Sequence, residues 1–497
     1  MVRPNGRGVV GLRSTSQGRC EPDWRSTIPK VSGPTVLIMA AGEGTRMRSS
    51  VPKMLHPVCG RPMIAWPVLA AREAGAERVC VIVSPDRNLS DALPDGTETV
   101  VQSHADGTGG AIRAALDTIA GADSVIVLNG DHPLVTAEHL TEVAQVHRDA
   151  GAAATVVTVD RPDPESLGRV LRDASGDFDS IVETKHPEGI APEVLAIHEV
   201  NTNTFAFDAP ALADAIARIT NDNAAGEYYI GDALNLLRAE GKRIIVHKVD
   251  DVSVNIGVNN RAELAAVNEV ARRRINERHM LAGVTITDPA AAWIDADVEI
   301  ESDAVIEPGT TLRGATRIGR ASIVGPNTTL IDSAVGAEVT APHSYVVQSE
   351  IADRCSVGPF AYLRPGTVLA EGAKAGTFVE LKNTRVGRGT KVPHLSYLGD
   401  ADVGDETNIG AATITANYDG FRKHRTKIGN RVHTSVDTTL VAPVSIGDGA
   451  YTAANSAITE DVPPGALGIA RPRQENIEGY ADKKAREQTD QGDTEDS

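Results

Sequence analysis

Residues 294–330 read IDADVE-IESDAV-IEPGTT-LRGATR-IGRASI-VGPNTT-L, with an aliphatic residue at every sixth position: Ile294, Ile300, Ile306, Leu312, Ile318, Val324 and Leu330. An α-helix repeats every 3.6 residues and an alternating strand every two, so neither sets a strict period of six. A parallel β-helix does: each hexad forms one short face, turns at small residues, and stacks its aliphatic side chain on the coil below. The register resumes at Ile351, Val357, Leu363 and Leu369, shifts by one through Val386, Val392 and Leu398, and continues through Val403 and Ile409. A further run takes in Ile428, Leu440, Ile446 and Ile458. Gly often follows the aliphatic residue, as in Ile318-Gly319, Val357-Gly358 and Ile409-Gly410. An aromatic content of 3 % suits a narrow prism whose interior accepts only aliphatic side chains. Ile414–Lys427 breaks the period and predicts a loop leaving the prism, the kind of segment that carries sites.

Upstream, a charged, Ala-rich stretch from Arg261 to about Leu281 predicts a connecting helix. Before it, short apolar runs at Val36–Ala40, Val79–Val83, Val100–Val101 and Val125–Leu128 predict buried parallel strands. Met63–Ala74, Gly110–Ile119 and Ala137–Arg148 have helical spacing, so this region reads as a Rossmann-like, doubly wound α/β domain. A chain of 497 residues exceeds what one core serves. The expected division is an extension without structure over 1–33, the α/β domain over 34–260, a linker helix over 261–283, the hexapeptide-repeat β-helix over 284–480, and a disordered acidic tail over 481–497. The class overall is α/β.

Lys and Arg total 49 against 67 for Asp and Glu, a formal charge of -18, which argues against a general nucleic-acid or membrane-surface binder. Cys20, Cys59, Cys80 and Cys355 show neither paired nor metal-ligand spacing and read as free thiols in a reducing, cytoplasmic compartment. No apolar run approaches a membrane span. The first 33 residues are rich in Arg, Gly, Pro and Ser and lack the unbroken apolar stretch of a secretory signal.

Strand Val36–Ala40 runs into Ala41-Gly42-Glu43-Gly44-Thr45-Arg46-Met47, a glycine turn whose amides can approach phosphate oxygens, with a cation immediately after and Lys53 seven residues on. Strand Val125–Leu128 ends in Asn129-Gly130-Asp131, which sets a carboxylate at the C-terminal end of a central strand, where open α/β sheets bind ligands. Beside a triphosphate loop, a hard oxygen ligand is what Mg²⁺ needs.

The run Leu-Ile-Met-Ala-Ala-Gly-Glu-Gly-Thr-Arg-Met followed by Pro52-Lys53 resembles the signature of sugar-phosphate nucleotidyltransferases. Across roughly residues 35–480 the chain resembles the bacterial family of bifunctional N-acetylglucosamine-1-phosphate uridylyltransferases/glucosamine-1-phosphate acetyltransferases. The resemblance implies that glucosamine-1-phosphate is acetylated from acetyl-CoA in the β-helix and that the product takes UMP from UTP in the α/β domain, releasing pyrophosphate. It implies that Arg46 and Lys53 hold the triphosphate as catalytic groups, with Ala40, Ala41 and Gly42 lining the nucleotide. Gln102, Gly107 and Thr108 would read uracil; Gly168, Glu183 of Ile-Val-Glu-Thr-Lys and Asn201 of Glu-Val-Asn-Thr would bind the sugar. Asp131 and Asn259, the latter in Gly-Val-Asn-Asn-Arg, would coordinate Mg²⁺. Gly226-Glu227-Tyr228-Tyr229-Ile230 is a further match.

In the hexad region, His394-Leu-Ser-Tyr397-Leu-Gly-Asp400 puts an imidazole beside polar groups, and its reference pKa near working pH suits a general base for the amine. By the same resemblance Arg364 of Leu-Arg-Pro-Gly, Lys382 of Val-Glu-Leu-Lys, Tyr397, Asn408 and Lys423 would bind glucosamine-1-phosphate. Ala411, Asn417, Tyr418, Val436, Ala454 and Arg471 would contact acetyl-CoA. Similar proteins form homotrimers whose acetyl sites lie between prisms, because loop residues of one chain reach the next. The chain departs from the family pattern at Asn129 (usually Tyr), Gly110 (usually His) and Gly231 (usually Thr). It departs again at Ser435-Val436-Asp437 (usually Gly-Ser-Asp), and at Ala412 and Asn455 (usually Gly). The second set admits another reading, a nucleotidyltransferase whose β-helix is an inactive trimerisation or regulatory scaffold.

Overall fold

Strand Thr35–Met39, with the sequence Thr-Val-Leu-Ile-Met, lies at the centre of the N-terminal sheet in the computed structural model. It pairs in parallel with Arg78–Val83 on one side and Ser124–Asn129 on the other. Leu37 faces one core with Ile82 and Val127, while Val36 and Ile38 face a second with Val81 and Leu128, so apolar residues run unbroken along the strand. Across the sheet the order is Ile244–Val249, Ala154–Asp160, Glu199–Asp208, Ser124–Asn129, Thr35–Met39, Arg78–Val83 and Glu98–Val101. Only Glu199–Asp208 runs antiparallel to both neighbours in that order, and a ribbon of Arg169–Arg172 and Phe178–Val182 attaches to it. The described residues are 33–184, 187–223 and 226–492; the extension read over 1–33 therefore lies outside them except for Gly33, as does Cys20.

Two local expectations are corrected here. Val100–Val101 is not buried: it belongs to the edge strand, and Val101 is 50 % exposed because nothing pairs beyond it among the described residues. The helix expected over Gly110–Ile119 is two pieces, Thr108–Ala114 and Leu116–Ile119, broken at Ala115, whose amide bonds to Ile112 only three residues back.

Helix Arg261–Leu281 follows, capped by Asn260, whose side chain accepts from the amides of Ala262 and Glu263. Cys59 joins it to both neighbours: its amide donates to Asn268 Oδ1 of the helix, and its carbonyl accepts from Ala296 of the first coil. One core is continuous across the junction, from Met63 and Val258 through Val267 and Ile275 to Ile294 and Ile306.

The remainder is a left-handed parallel β-helix of three sheets. Ile294 pairs with Leu312 and Leu312 with Leu330; Ile300 pairs with Ile318 and then Val335; Ile306 pairs with Val324. Ile294 to Leu312 is a coil of eighteen residues, whereas Ile318 to Val335 is one of seventeen, and such shortened coils shift the hexad register by one. Corners are turned by residues in the left-handed region, among them Phe360 (φ 59°), Leu395 (φ 49°) and Asp400 (φ 51°).

The interior does not accept only aliphatic side chains. Thr328 and Thr384 are fully buried, and each hydroxyl donates to a carbonyl of the next coil, Ala341 at 2.6 Å and Leu398 at 2.9 Å, which offsets the desolvation of the oxygen. The loop expected over Ile414–Lys427 is shorter, since Ile414–Ala416 and Thr426–Ile428 are strands of the prism and only residues 417–425 leave it. Thr415, not an aliphatic, takes the inward position there, and this is what broke the period. The tail is not without structure: Tyr480–Gly492 forms a helix, built of Ala, Lys, Glu, Arg and Gln, with Lys484 and Glu487 paired at 2.8 Å.

Candidate functional sites

At the C-terminal edge of the first sheet, Gly130 donates its amide to Met39 and Ala40 donates to Ile82, so the loops after two central strands lie side by side. Gly44 sits at φ 65°, where a Cβ would come within 2.6 Å of Lys53 Cβ; this glycine lets the loop close over the lysine. Lys53 Nζ is 2.5 Å from Asp131 Oδ2 and 3.1 Å from Asn259 Oδ1, and Arg46 Nη2 reaches the same Asn259 oxygen at 2.9 Å. Four residues from distant points of the chain thus meet in one cluster. Asn259 is held by its amide bond to Glu263 at 2.6 Å and by Val258 N on the Asp131 carbonyl.

Burial works against the charged form of Asp131, but the charges of His132 and Lys53 and the lysine hydrogen bond outweigh it and hold the carboxyl below its ordinary range. Its second oxygen, Oδ1, is buried without a hydrogen bond and lies 3.6 Å from His132 Nε2. His132 is buried and was not singled out in the sequence, nor was Arg87, whose guanidinium donates to the Gly42 carbonyl at 2.7 Å. Neither carries a local motif; His132 simply follows Asp131 in the chain, and only the fold brings Arg87 to the glycine turn.

Two further groups line the same edge. Gln102 Nε2 donates to Asp106 Oδ1 at 2.8 Å and to the Gly107 carbonyl at 3.1 Å, and Thr108 Oγ1 accepts the amide of Ile230. Asn201 donates its amide to the Gly168 carbonyl, and a Cβ on Gly168 would lie 3.3 Å from Glu183 Oε1, which groups the three residues expected to bind sugar.

On the prism, a ladder of polar side chains spans three coils: Asn383 Nδ2 donates to Asp400 Oδ1 at 2.6 Å, and Asn417 Nδ2 donates to Asp400 Oδ2 at 2.5 Å. Burial opposes the charge of Asp400, but these two amides, with Lys382 and Lys423, keep its pKa low. Lys382 lies 3.9 Å from that carboxylate and beside Lys423; their contact, burial and the charge of Arg364 push its pKa down against the attraction of Asp400. Tyr397 enters the same group, since a Cβ on Gly399 would meet both Tyr397 Oη and Asn417 Nδ2. Arg364 pairs with Glu380 at 2.8 Å. Lys382 and Lys423 thus flank Asp400, while Arg364, whose charge reaches Lys382, is paired with its own carboxylate, Glu380. Glu380, Asn383 and Asp400 were not assigned roles from the sequence, although Asn383, Asp400 and Asn417 recur at seventeen-residue spacing, which is one coil.

His394 does not join that cluster. It is exposed at the end of strand Lys391–His394, beside the corner residue Leu395, whereas Asp400 marks the opposite corner of the same face. At the first corner backbone bonds stack His394 over Ala412, Ala411 over Asp437 and Val436 over Asn455, so His394, Ala411, Val436 and Ala454 form one column. Asn408 lies on the same sheet as His394, bridged to Lys391 of that strand and to His433. Ala412 and Asn455 occupy left-handed backbone, at φ 58° and 56°, and Val436 is 49 % exposed. Tyr418 is exposed on the excursion from the prism, and Arg471 is exposed just after Ala470, whose amide donates to Ser456 Oγ two residues beyond Ala454.

The MobA-like NTP transferase domain family matches residues 36–229, the sheet that carries the first cluster. Over its greater length the chain is similar to proteins named Bifunctional protein GlmU. It is 45 % identical over 456 residues to that of Streptomyces avermitilis, covering 90 % of this chain and 94 % of the relative. It is 46 % identical over 457 residues to that of Streptomyces coelicolor, with the same coverage. It is 44 % identical over 459 residues to that of Mycobacterium tuberculosis strain H37Ra, covering 90 % and 92 %. With a transferase sheet, a hexad prism behind it and this degree of likeness along nine-tenths of its length, the chain belongs to the bifunctional GlmU family.

Proposed function

We propose a division of labour for this UDP-N-acetylglucosamine-forming enzyme in which the prism acetylates glucosamine-1-phosphate and the α/β domain transfers UMP to the product. The observation that carries the reading is the cluster of Arg46, Lys53, Asp131 and Asn259 at the sheet edge. Arg46 and Lys53 neutralise the triphosphate and align it, while the sugar phosphate oxygen attacks the α-phosphorus in line and pyrophosphate leaves. Ala40, Ala41 and Gly42 offer the nucleotide their backbone, Gln102, Gly107 and Thr108 face the base, and Gly168, Glu183 and Asn201 bind the sugar.

The donor set fits Mg²⁺. Asp131 and Asn259 present hard oxygens on either side of the Lys53 ammonium, which occupies a position a cation favours, and Asp131 Oδ1 is buried without a partner. Mg²⁺ is held by few protein oxygens, with phosphates completing its shell. When bound it supplies charge neutralisation at the phosphates.

In the prism, Arg364, Lys382 and Lys423 receive the sugar phosphate, with Tyr397 and Asn408 orienting the sugar and His394 taking the amine proton. Acetyl-CoA lies along Ala411, Val436 and Ala454, with Asn417, Tyr418 and Arg471. Because His394 and the cation cluster occupy opposite corners of one face, a complete site calls for a second copy, and a homotrimer is part of the reading. The excursion 417–425 supports it: Phe421 at its tip is 93 % exposed. So do Phe360 and Phe378, stacked 5.4 Å apart on the prism surface. A reducing, cytoplasmic compartment is also part of the reading, supported by the buried free thiols of Cys59, Cys80 and Cys355. Among the described residues no helix is long and apolar enough to cross a membrane.

The test is incubation with glucosamine-1-phosphate, acetyl-CoA, UTP and Mg²⁺, omitting each in turn and weighing the products. His394→Ala abolishes acetylation and spares uridylylation; Lys53→Ala does the reverse. Loss of both activities from either change refutes the division.

A further inference from the structure

Gln102 is 7 % exposed, and the end of its side chain that can turn toward a base is decided by its neighbours. Both groups against Nε2, the Asp106 carboxylate at 2.8 Å and the Gly107 carbonyl at 3.1 Å, accept hydrogen bonds and donate none. Only the NH₂ end of the amide satisfies them, so the orientation follows from chemistry. Among the described residues Oε1 has no partner, which leaves an acceptor to face a ligand.

The backbone that carries the carboxylate is itself fixed. Tyr228 donates its amide to the Asp106 carbonyl at 2.7 Å, and Gly109 donates to the Tyr228 carbonyl at 2.7 Å, stitching this loop to residues 226–229. The Arg113 guanidinium lies 3.9 Å over the Tyr228 ring and clamps the same segment. Gly110 supplies the room: a Cβ there would lie 1.9 Å from Asp106 Oδ1 and 2.4 Å from its Cγ. Gly inside helix Thr108–Ala114 costs about 1 kcal/mol relative to Ala. The space it leaves is taken by the carboxylate that orients Gln102.

We infer that Asp106, with the clearance left by Gly110, is a positioning residue that sets base selectivity by presenting Gln102 Oε1 as an acceptor. A pyrimidine with N3–H, as in uracil, can donate to it. Cytosine carries a lone pair at N3 and meets an acceptor with an acceptor. The inference rests on the proposal that this edge binds a nucleoside triphosphate.

The experiment uses the full chain with Mg²⁺ and measures binding of UTP and of CTP by calorimetry, together with kcat/KM for pyrophosphate release from each. Wild type, Asp106→Ala, Gly110→Ala and Asp106→Asn are compared. In Asp106→Ala only the Gly107 carbonyl still holds Nε2, the amide of Gln102 turns more readily, and the preference for UTP over CTP falls by up to about tenfold, the worth of one hydrogen bond of roughly 1.4 kcal/mol. Gly110→Ala displaces the carboxylate from the other side and gives the same fall without touching a base contact. Asp106→Asn keeps an acceptor oxygen toward Nε2 and retains the preference. Far-UV circular dichroism and the thermal unfolding of each full-length variant report that the chain is folded, and the two variants attack one contact independently.

An unchanged UTP:CTP ratio in folded Asp106→Ala or Gly110→Ala, or an equal loss for both nucleotides, overturns the inference. Wild type that binds UTP selectively but turns neither nucleotide over refutes the uridylyltransferase reading and leaves the inference standing. Wild type that binds neither nucleotide overturns both.

Discussion

His279 closes the helix that joins the two domains, and it is buried, with Nε2 lacking a hydrogen-bond partner. Burial first, and then the charge of Arg278, push its pKa down from 6.5 to about 4. The folded chain therefore holds a neutral imidazole where the unfolded chain accepts a proton near 6.5. Above pH 7 neither state is protonated and the group costs nothing. As pH falls from 6.5 toward 4 the unfolded state alone gains the proton, so stability is lost through that window and no further below it. The difference of about 2.5 pH units amounts to about 3 kcal/mol in full, of which about 2 kcal/mol is lost by pH 5.0. His279→Leu fills the same apolar site without a titrating group. Urea unfolding of wild type and variant at pH 7.5 and pH 5.0 isolates this residue, because every other titration is common to both. The variant should lose about 2 kcal/mol less than wild type on acidification. An identical loss in both would show that His279 is protonated without penalty in the folded chain, and the argument from burial would fail.

Other consequences are as direct. Asp131→Asn keeps an oxygen near Lys53 but removes its charge, and uridylyl transfer should fall by on the order of 10²–10³ in kcat while acetyl transfer is unchanged; both rates are read on one preparation. Leu398, fully buried in the prism, should cost about 2–5 kcal/mol when cut to Ala, lowering the thermal midpoint of the prism. Val436→Ser adds a hydroxyl on the column that runs from Ala411 to Ala454, and a gain of about 1 kcal/mol should lower KM for acetyl-CoA about fivefold. No change in KM would remove Val436 from the cofactor path.

The hexad period made the prism legible because a coil closes only when its inward residues recur at fixed spacing, and Ile294, Leu312 and Leu330 do so. The same rule hid what does not fit it. Thr415 faces inward as a hydroxyl residue, so the strand Ile414–Ala416 read as loop. The motif residues Arg46, Lys53, Asp131 and Asn259 were each visible from local patterns and resemblance. Asp106, Asp400, Glu380 and His132 were not assigned, since an ordinary acid or histidine shows its use only through its neighbours.

What the amino-acid order determined unaided is periodic and local: the hexad prism, the unbroken apolar strands of the first sheet, the glycine turn, and the family these imply. What only the tertiary structure decided is juxtaposition. The Lys53–Asp131 pair, the amide of Gln102 turned by Asp106, and the separation of His394 from the Lys382 cluster all join or divide residues by distance through space. The physical reason is range: burial and backbone preference act on a residue from its own sequence neighbourhood, whereas hydrogen bonds and charges act over a few ångströms between groups that folding alone makes adjacent.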